Sequence, residues 1–328
     1  MTTAMGSRQS ATMANSASLA FVFPGQGSQY PGMIKDVQRC GPGARSLLGD
    51  AQDITGLPVL DLMSTASAEI IADPHIAQVL VFLTSTVLLN ELRQRGWRPA
   101  AVAGHSLGEY PALVAAEMLT WDAALRLVHA RGTAMAAAAA ARPGAMAALV
   151  GLDPETVTAM CQSATRDPEH AVIANLNSAT QLVVSGTEAA VEEVLESARA
   201  AGALRARRLP VGGAYHSALM QPAADQLRPL ILEAQLASPT TTFVSSTTGR
   251  VVDDLDEYRH ALANQVIAPV RWQRTVGALT ATGIDCFVEV GPGRVLTGLA
   301  RDNARAAARH LGPDLLARPS TARVGTGV

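Results

Sequence analysis

Apolar residues recur along this chain with two different periods. The runs at 19–23, 100–103 and 286–290 are short, nearly all apolar and bounded by Pro, Gly or polar clusters, which predicts buried strands. Between them, residues 76–95, 107–119 and 121–141 carry apolar positions at helical spacing. Alternation of buried strands with helices predicts a parallel α/β sheet.

Between about 144 and 211 the rhythm changes. The pattern there predicts a strand at 145–150, a helix at 154–163, strands at 171–175 and 181–185, a helix at 188–201 and a last strand at 207–211. That order, βαββαβ, is the ferredoxin-like split. A helix over 218–236 then returns the chain to the first pattern. The expected division is a large α/β subdomain of residues 18–142 and 214–304 with a small ferredoxin-like subdomain, 143–213, inserted into it. Residues 1–17, rich in Ser, Thr and Ala without periodicity, are expected to be disordered, and 305–328 to form a weakly ordered tail. A cleft beside an inserted subdomain is a common place for a ligand.

Composition removes several function classes. With 328 residues and 48% hydrophobic content the chain can bury a sizeable core. A net charge of −2 argues against nucleic-acid binding. Lys35 is the only lysine, which rules out most lysine chemistry. Apolar stretches such as 79–89 are broken by Thr and Ser and are too short for a bilayer, and the N-terminus has no charged-then-apolar signal pattern. A cytoplasmic location without membrane contact is the expectation. Cys40, Cys161 and Cys286 are widely spaced, without CxxC or His-rich neighbours, so neither a disulfide framework nor a metal site is expected.

The densest chemistry lies at Gly104-His-Ser-Leu-Gly-Glu-Tyr110, a GxSxG between a predicted strand and a predicted helix. This context fits the nucleophile elbow of an α/β-hydrolase-like sheet, with Ser106 exposed at a helix N-terminus where backbone N–H groups can stabilise an oxyanion. Serine needs a base. His105 would point away from Ser106 Oγ on such a turn. His216 follows a strand and two glycines, which suits an imidazole aimed at the elbow; an unremarkable histidine at a helix start fits the same residues. No Asp or Glu stands out as a third member. The tight loop at Gly25-Gln26-Gly27-Ser28 could bring an N–H to an oxyanion hole, or be only a turn. Arg131 sits in an Ala-rich helix. It is either a solvated face residue or a planar fork that grips a carboxylate.

Together, Phe23-Pro-Gly-Gln-Gly-Ser-Gln29, the 104–110 heptapeptide, Arg131-Gly132, His216-Ser-Ala-Leu-Met220 and Val290-Gly-Pro-Gly-Arg-Val-Leu-Thr-Gly-Leu299 resemble malonyl-CoA:acyl carrier protein transacylases. Similar acyltransferases serve polyketide synthases. The resemblance runs from about 19 to 303 with the motifs in order. It implies a ping-pong transfer of malonyl from malonyl-CoA through an ester on Ser106 to the phosphopantetheine thiol of acyl carrier protein, with His216 as base and no cofactor of the enzyme's own. It further implies an oxyanion hole from the N–H groups of Gln26 and Leu107, Arg131 on the malonyl carboxylate, and the backbone carbonyl of Gln265 orienting His216. Asn175 and Asn177 match the family's asparagine pair, with a supporting part at most. Tyr215, beside the base, would lie near the α-carbon of the acyl unit and affect tolerance of a methyl or ethyl branch, or would merely pack. Arg205, Arg207, Arg208, Arg294 and Arg301 are candidate contacts for an acidic carrier protein. Alternatives are transfer of a branched extender unit, an acyl-thioester hydrolase using the same Ser106 and His216, and a silent carrier-docking subunit.

Overall fold

The computed structural model describes residues 19–41 and 43–304, with the backbone of 307–310. The expected disordered segment 1–17 lies outside the described residues, as do 311–328. Ten strands are present among the described residues: β1 (Leu19–Phe23), β2 (Ala101–Gly104), β3 (Ala145–Val150), β4 (Ala171–Leu176), β5 (Gln181–Gly186), β6 (Arg205–Arg208), β7 (Thr242–Ser245), β8 (Arg250–Val251), β9 (Cys286–Glu289) and β10 (Ala307–His310).

Six of them form one sheet in the order β10-β9-β1-β2-β7-β8, parallel except for the short edge strand β8. Every residue of β1, β2 and β9 is buried, which is why these strands are continuously apolar rather than alternating. Phe23 is in register with Gly104, so the loops after β1 and β2 leave the sheet at the same edge and side by side. The helices Pro74–Gln94 and Trp121–Ala141 pack against each other and supply much of the core. The first is long and apolar enough to cross a membrane, yet most of it is buried inside the protein. Its apolarity belongs to the core.

The other four strands form an antiparallel sheet in the order β4-β5-β3-β6, the ferredoxin-like order, with the helices Pro154–Ala164 and Glu188–Ala200 packed against it. The two sheets are stitched together where Leu176 N–H donates to the Val270 carbonyl (2.8 Å) and Val270 N–H to the Ala174 carbonyl (2.8 Å).

Three differences from the sequence pattern have physical causes. The strand expected at 207–211 lies at Arg205–Arg208, because Pro210 has no N–H to pair and Leu209 and Val211 pack into the large core instead. The helix expected at 107–119 is a 3-10 turn, Ser106–Gly108, followed by Glu109–Ala115; Glu117 at φ 59° ends it. The tail from 305 was expected to be weakly ordered, but 307–310 add a parallel strand beside β9.

Candidate active site

The β2 strand ends at Gly104 and the chain reverses through Ser106, which adopts φ 54°, a left-handed conformation strained for a residue with a Cβ. The flanking glycines are required sterically. A Cβ on Gly104 would lie 1.9 Å from the Gly108 backbone, and one on Gly108 would lie 2.0 Å from the Phe23 carbonyl oxygen. Their absence of side chains lets the turn close over β1 and lifts Ser106 above the sheet edge.

Ser106 Oγ lies 2.8 Å from His216 Nε2. His216 is also left-handed, φ 60°, and its N–H donates to the Val266 carbonyl (3.0 Å), which holds the loop before the Gln221–Glu233 helix against the 264–270 segment. Its Nδ1 faces two carbonyl oxygens, Gln265 (3.0 Å) and Ala268 (2.9 Å). Carbonyls only accept, so the proton sits on Nδ1 and Nε2 carries the lone pair toward the serine hydroxyl. Burial, and then the charge of Arg131, hold the imidazole well below its ordinary pKa, at about 3. The resting ring is neutral. The contact with Ser106 sets His216 apart from an ordinary helix-start histidine.

Arg131 is not a solvated face residue: it is 1% exposed. The neighbouring Gly132 allows this, since a Cβ there would come within 2.8 Å of the Pro74 carbonyl oxygen, so the two long helices approach closely and turn Arg131 inward. Its Nη2 donates to Ser106 Oγ (3.1 Å) and to Gln265 Oε1 (3.1 Å), Nε to Gln265 Oε1 (3.2 Å), and Nη1 to Gln78 Oε1 (2.7 Å). The guanidinium also lies 5.9 Å from the centre of the Tyr110 ring. It makes no ion pair among the described residues. A buried cation held by neutral acceptors keeps its charge available to an anion from outside.

The remaining predicted residues surround this trio. Gln26 lies in the loop after β1, beside the elbow by the β1–β2 register, and its Oε1 accepts from Gln78 Nε2 (3.2 Å). Leu107 follows the serine in the first turn, where helix N–H groups lack intrahelical partners. Tyr215 is 6% exposed and packs into the large core beside Gly213 and Ala139; burial pushes its phenol up to about 12. His105 turns away from the serine, as expected, and pairs through Nε2 with Asn177 Oδ1 (2.9 Å). Asn175 Oδ1 is buried without a hydrogen bond. Among the described residues no group of three or more His, Cys, Asp or Glu side chains is arranged to hold a metal ion.

Sequence reasoning missed Gln78, Glu109, Ser246 and the Ala268 carbonyl. A lone glutamine inside an apolar helix was a signal for Gln78, since a buried amide needs partners. Glu109 at a helix start reads as a dipole partner, which concealed it. It is wholly buried and accepts from Gln265 Nε2 (2.7 Å) and Ser245 Oγ (2.9 Å). Ser246 Oγ accepts from Ser106 N–H (3.4 Å).

Comparison with known proteins decides the family. The sequence model of the acyl transferase domain matches residues 20–314. The chain belongs to the acyl transferase domain family. Over 283 residues it is 38% identical to a malonyl CoA-acyl carrier protein transacylase of Escherichia coli, covering 86% of this chain and 91% of that one. A protein of the same description from Bacillus subtilis is 36% identical over 283 residues, 86% and 89% of the two chains. Among solved structures, the malonyl-CoA:acyl carrier protein transacylase of Xanthomonas oryzae superimposes with a TM-score of 0.85 at 37% identity, covering 90% of this chain and 94% of that one. A malonyl-transacylase solved in complex with a type II polyketide acyl carrier protein matches with a TM-score of 0.85 at 34% identity, covering 90% and 96%. The family therefore extends over both sheets of the molecule, with the Ser106, His216 and Arg131 cluster at the edge of the larger one.

Proposed function

We propose that this protein is a malonyl-CoA:acyl carrier protein S-malonyltransferase, with Ser106 as nucleophile and His216 as general base and acid. The observation that carries the reading is that one oxygen, Ser106 Oγ, touches both the lone-pair nitrogen of a neutral imidazole (2.8 Å) and a buried guanidinium (3.1 Å). The first makes a nucleophile; the second selects an acyl group with a free acid end.

In the first half-reaction His216 Nε2 takes the hydroxyl proton as Oγ attacks the thioester carbonyl of malonyl-CoA. The N–H groups of Gln26 and Leu107 receive the oxyanion. Collapse breaks the C–S bond, and the proton on His216 passes to the departing thiolate of CoA. In the second half-reaction the phosphopantetheine thiol of the carrier protein gives its proton to His216 and attacks the malonyl ester, and Ser106 Oγ recovers a proton as it leaves. The Gln265 and Ala268 carbonyls hold the imidazolium formed in each half-reaction. Arg131 binds the malonyl carboxylate throughout, and no cofactor or metal takes part. Tyr215, buried beside the base, limits the space at the malonyl α-carbon. Asn177 acts only by holding His105.

We take residues 18–142 with 214–304 as the large subdomain and 143–213 as the small one; the two strand sets drawn from these ranges support the division. The carrier protein docks on the arginine-bearing rim. Arg205, Arg207 and Arg208 lie exposed on the edge strand β6, Arg208 pairing with Glu188, while Arg207 and Arg208 line an open groove of about 620 Å³ together with Val211 and Gly212. Arg294 and Arg301 are exposed at the start and end of the Val295–Ala304 helix. We place the protein in the cytoplasm, supported by the burial of the long apolar helix Pro74–Gln94 inside the protein.

The test is transfer of labelled malonyl from malonyl-CoA to holo acyl carrier protein. Label on the carrier protein, lost with Ser106→Ala, supports the transferase. Free malonate released at the rate of CoA, with none on the carrier, would make the protein a thioester hydrolase. Absence of any turnover would restore the silent docking subunit.

A further inference from the structure

Glu109 and the side-chain amide of Gln265 lie behind the site and touch none of the atoms exchanged in the reaction. Glu109 is wholly buried, and every neighbour of its carboxylate is a donor. One oxygen accepts from Ser245 Oγ (2.9 Å), Ser246 N–H, Ser246 Oγ (3.3 Å) and Thr247 N–H (3.4 Å). The other accepts from Gln265 Nε2 (2.7 Å) and Thr247 Oγ1 (3.5 Å). Burial pushes the Glu109 carboxyl above its ordinary pKa, while the donors from Ser245, Gln265, Ser246 and Thr247 pull it back; a carboxyl met only by donors is satisfied as the anion, and Arg131 lies one amide away.

The amide between them has only one workable orientation. An ionised carboxylate can only accept and a guanidinium can only donate. Nε2 must therefore face Glu109 and Oε1 must face Arg131, which is the arrangement present, with Oε1 receiving both Nε and Nη2 of the arginine. A flipped amide would set carbonyl against carboxylate and NH2 against guanidinium. Glu109 thus dictates which end of Gln265 meets Arg131.

We propose that Glu109 is a positioning residue: through the Gln265 amide it aims the Arg131 guanidinium at the substrate carboxylate and balances its charge without occupying it. A carboxylate in direct contact with Arg131 would compete with the substrate for the same donors. No carboxylate at all would leave a buried cation uncompensated beside the base. One amide of separation avoids both. This inference rests on Arg131 being the malonyl-binding residue.

The test compares single-turnover acylation of Ser106 by malonyl-CoA and by acetyl-CoA in wild type, Glu109→Gln, Gln265→Met and the double variant. Gln265→Met keeps the backbone carbonyl that holds His216 and removes the amide, including the bond from Nε2 to the Ser106 carbonyl (3.0 Å), whose loss would slow both donors alike and so leaves their ratio as the readout. Each single variant is expected to lose about tenfold or more of the ratio of malonyl to acetyl acylation. Because the two residues act in series, the double variant should lose no more than the worse single one. Unchanged preference in folded Gln265→Met, or additive losses in the double variant, would overturn the proposal. Equal losses for both donors would do so too, since they mark general damage. If Glu109→Gln does not fold, Gln265→Met alone decides. Failure of wild type to form a malonyl ester would instead refute the transferase reading itself.

Discussion

Replacing Arg131 with methionine, which keeps bulk and removes charge, should convert selection for malonyl into tolerance of acetyl. The guanidinium has five N–H groups. In the resting site Nε and one Nη2 N–H are held by Gln265, one Nη1 N–H by Gln78 and the other Nη2 N–H by Ser106 Oγ. Tyr110 is a further, weaker hydrogen-bond partner of the guanidinium that a carboxylate can displace, and the Nη2 bond to the hydroxyl is released as Ser106 becomes an ester. A malonyl carboxylate can therefore gain two charge-assisted hydrogen bonds. At about 1.5–3 kcal/mol each, their loss corresponds to roughly 10²- to 10⁴-fold slower malonyl acylation. Acetyl-CoA offers no carboxylate to the guanidinium, so its acylation should hold or rise in Arg131→Met. The assay is stopped-flow release of CoA with each donor, alongside a denaturation curve to show that the variant folds. Parallel losses for both donors in a folded variant would refute the assignment.

Three other outcomes follow from the same geometry. Burial keeps His216 neutral in the folded protein, with its pKa near 3, while the unfolded chain protonates it below the ordinary value of 6.5; stability is therefore full above pH 6.5 and is lost as pH falls toward 3. Between pH 7.5 and 5.5 wild type should lose about 1 kcal/mol more stability in urea titrations than His216→Ala does, and equal losses would contradict the cause. Ser106→Gly relieves the left-handed strain at φ 54° and should raise stability by about 1 kcal/mol while abolishing acylation; a lower melting temperature would show that the turn is unstrained. Arg207→Glu, at an exposed site on β6, should raise the KM for carrier protein several-fold and leave acylation by malonyl-CoA unchanged; an unaltered, salt-insensitive transfer rate would remove β6 from the docking face.

Local signals carried most of the fold. The helix Trp121–Ala141 and the strand Ala145–Val150 match the sequence pattern residue for residue, because apolar period and capping residues coincide there; Thr120 caps the helix. The strand β7 was missed since Thr242-Phe-Val-Ser245 is too short to separate from a loop, and β10 because Ala307-Ala-Arg-His310 has too few apolar residues to read as a buried strand. The GxSxG elbow was legible because its steric demands are local. The base was legible only as a candidate, since the 2.8 Å contact joins residues 110 positions apart. Arg131 was ambiguous for a similar reason: helix periodicity does not show that Gly132 lets a second helix close over it. Gln78 left a signal as a lone amide in an apolar helix, but its bond to Arg131 and the side-chain link from Gln265 to Glu109 were illegible, because amide orientation and long-range contact make them rather than spacing.

The central claim is that malonyl rests as an ester on Ser106 between the two half-reactions. Brief incubation with malonyl-CoA, acid quench and peptide mapping by mass spectrometry tests it most directly. A malonyl increment on the peptide that contains Ser106, absent from Ser106→Ala and discharged by holo carrier protein, is the predicted result. An unmodified Ser106 peptide while CoA is released, or an adduct that holo carrier protein cannot discharge, would contradict it.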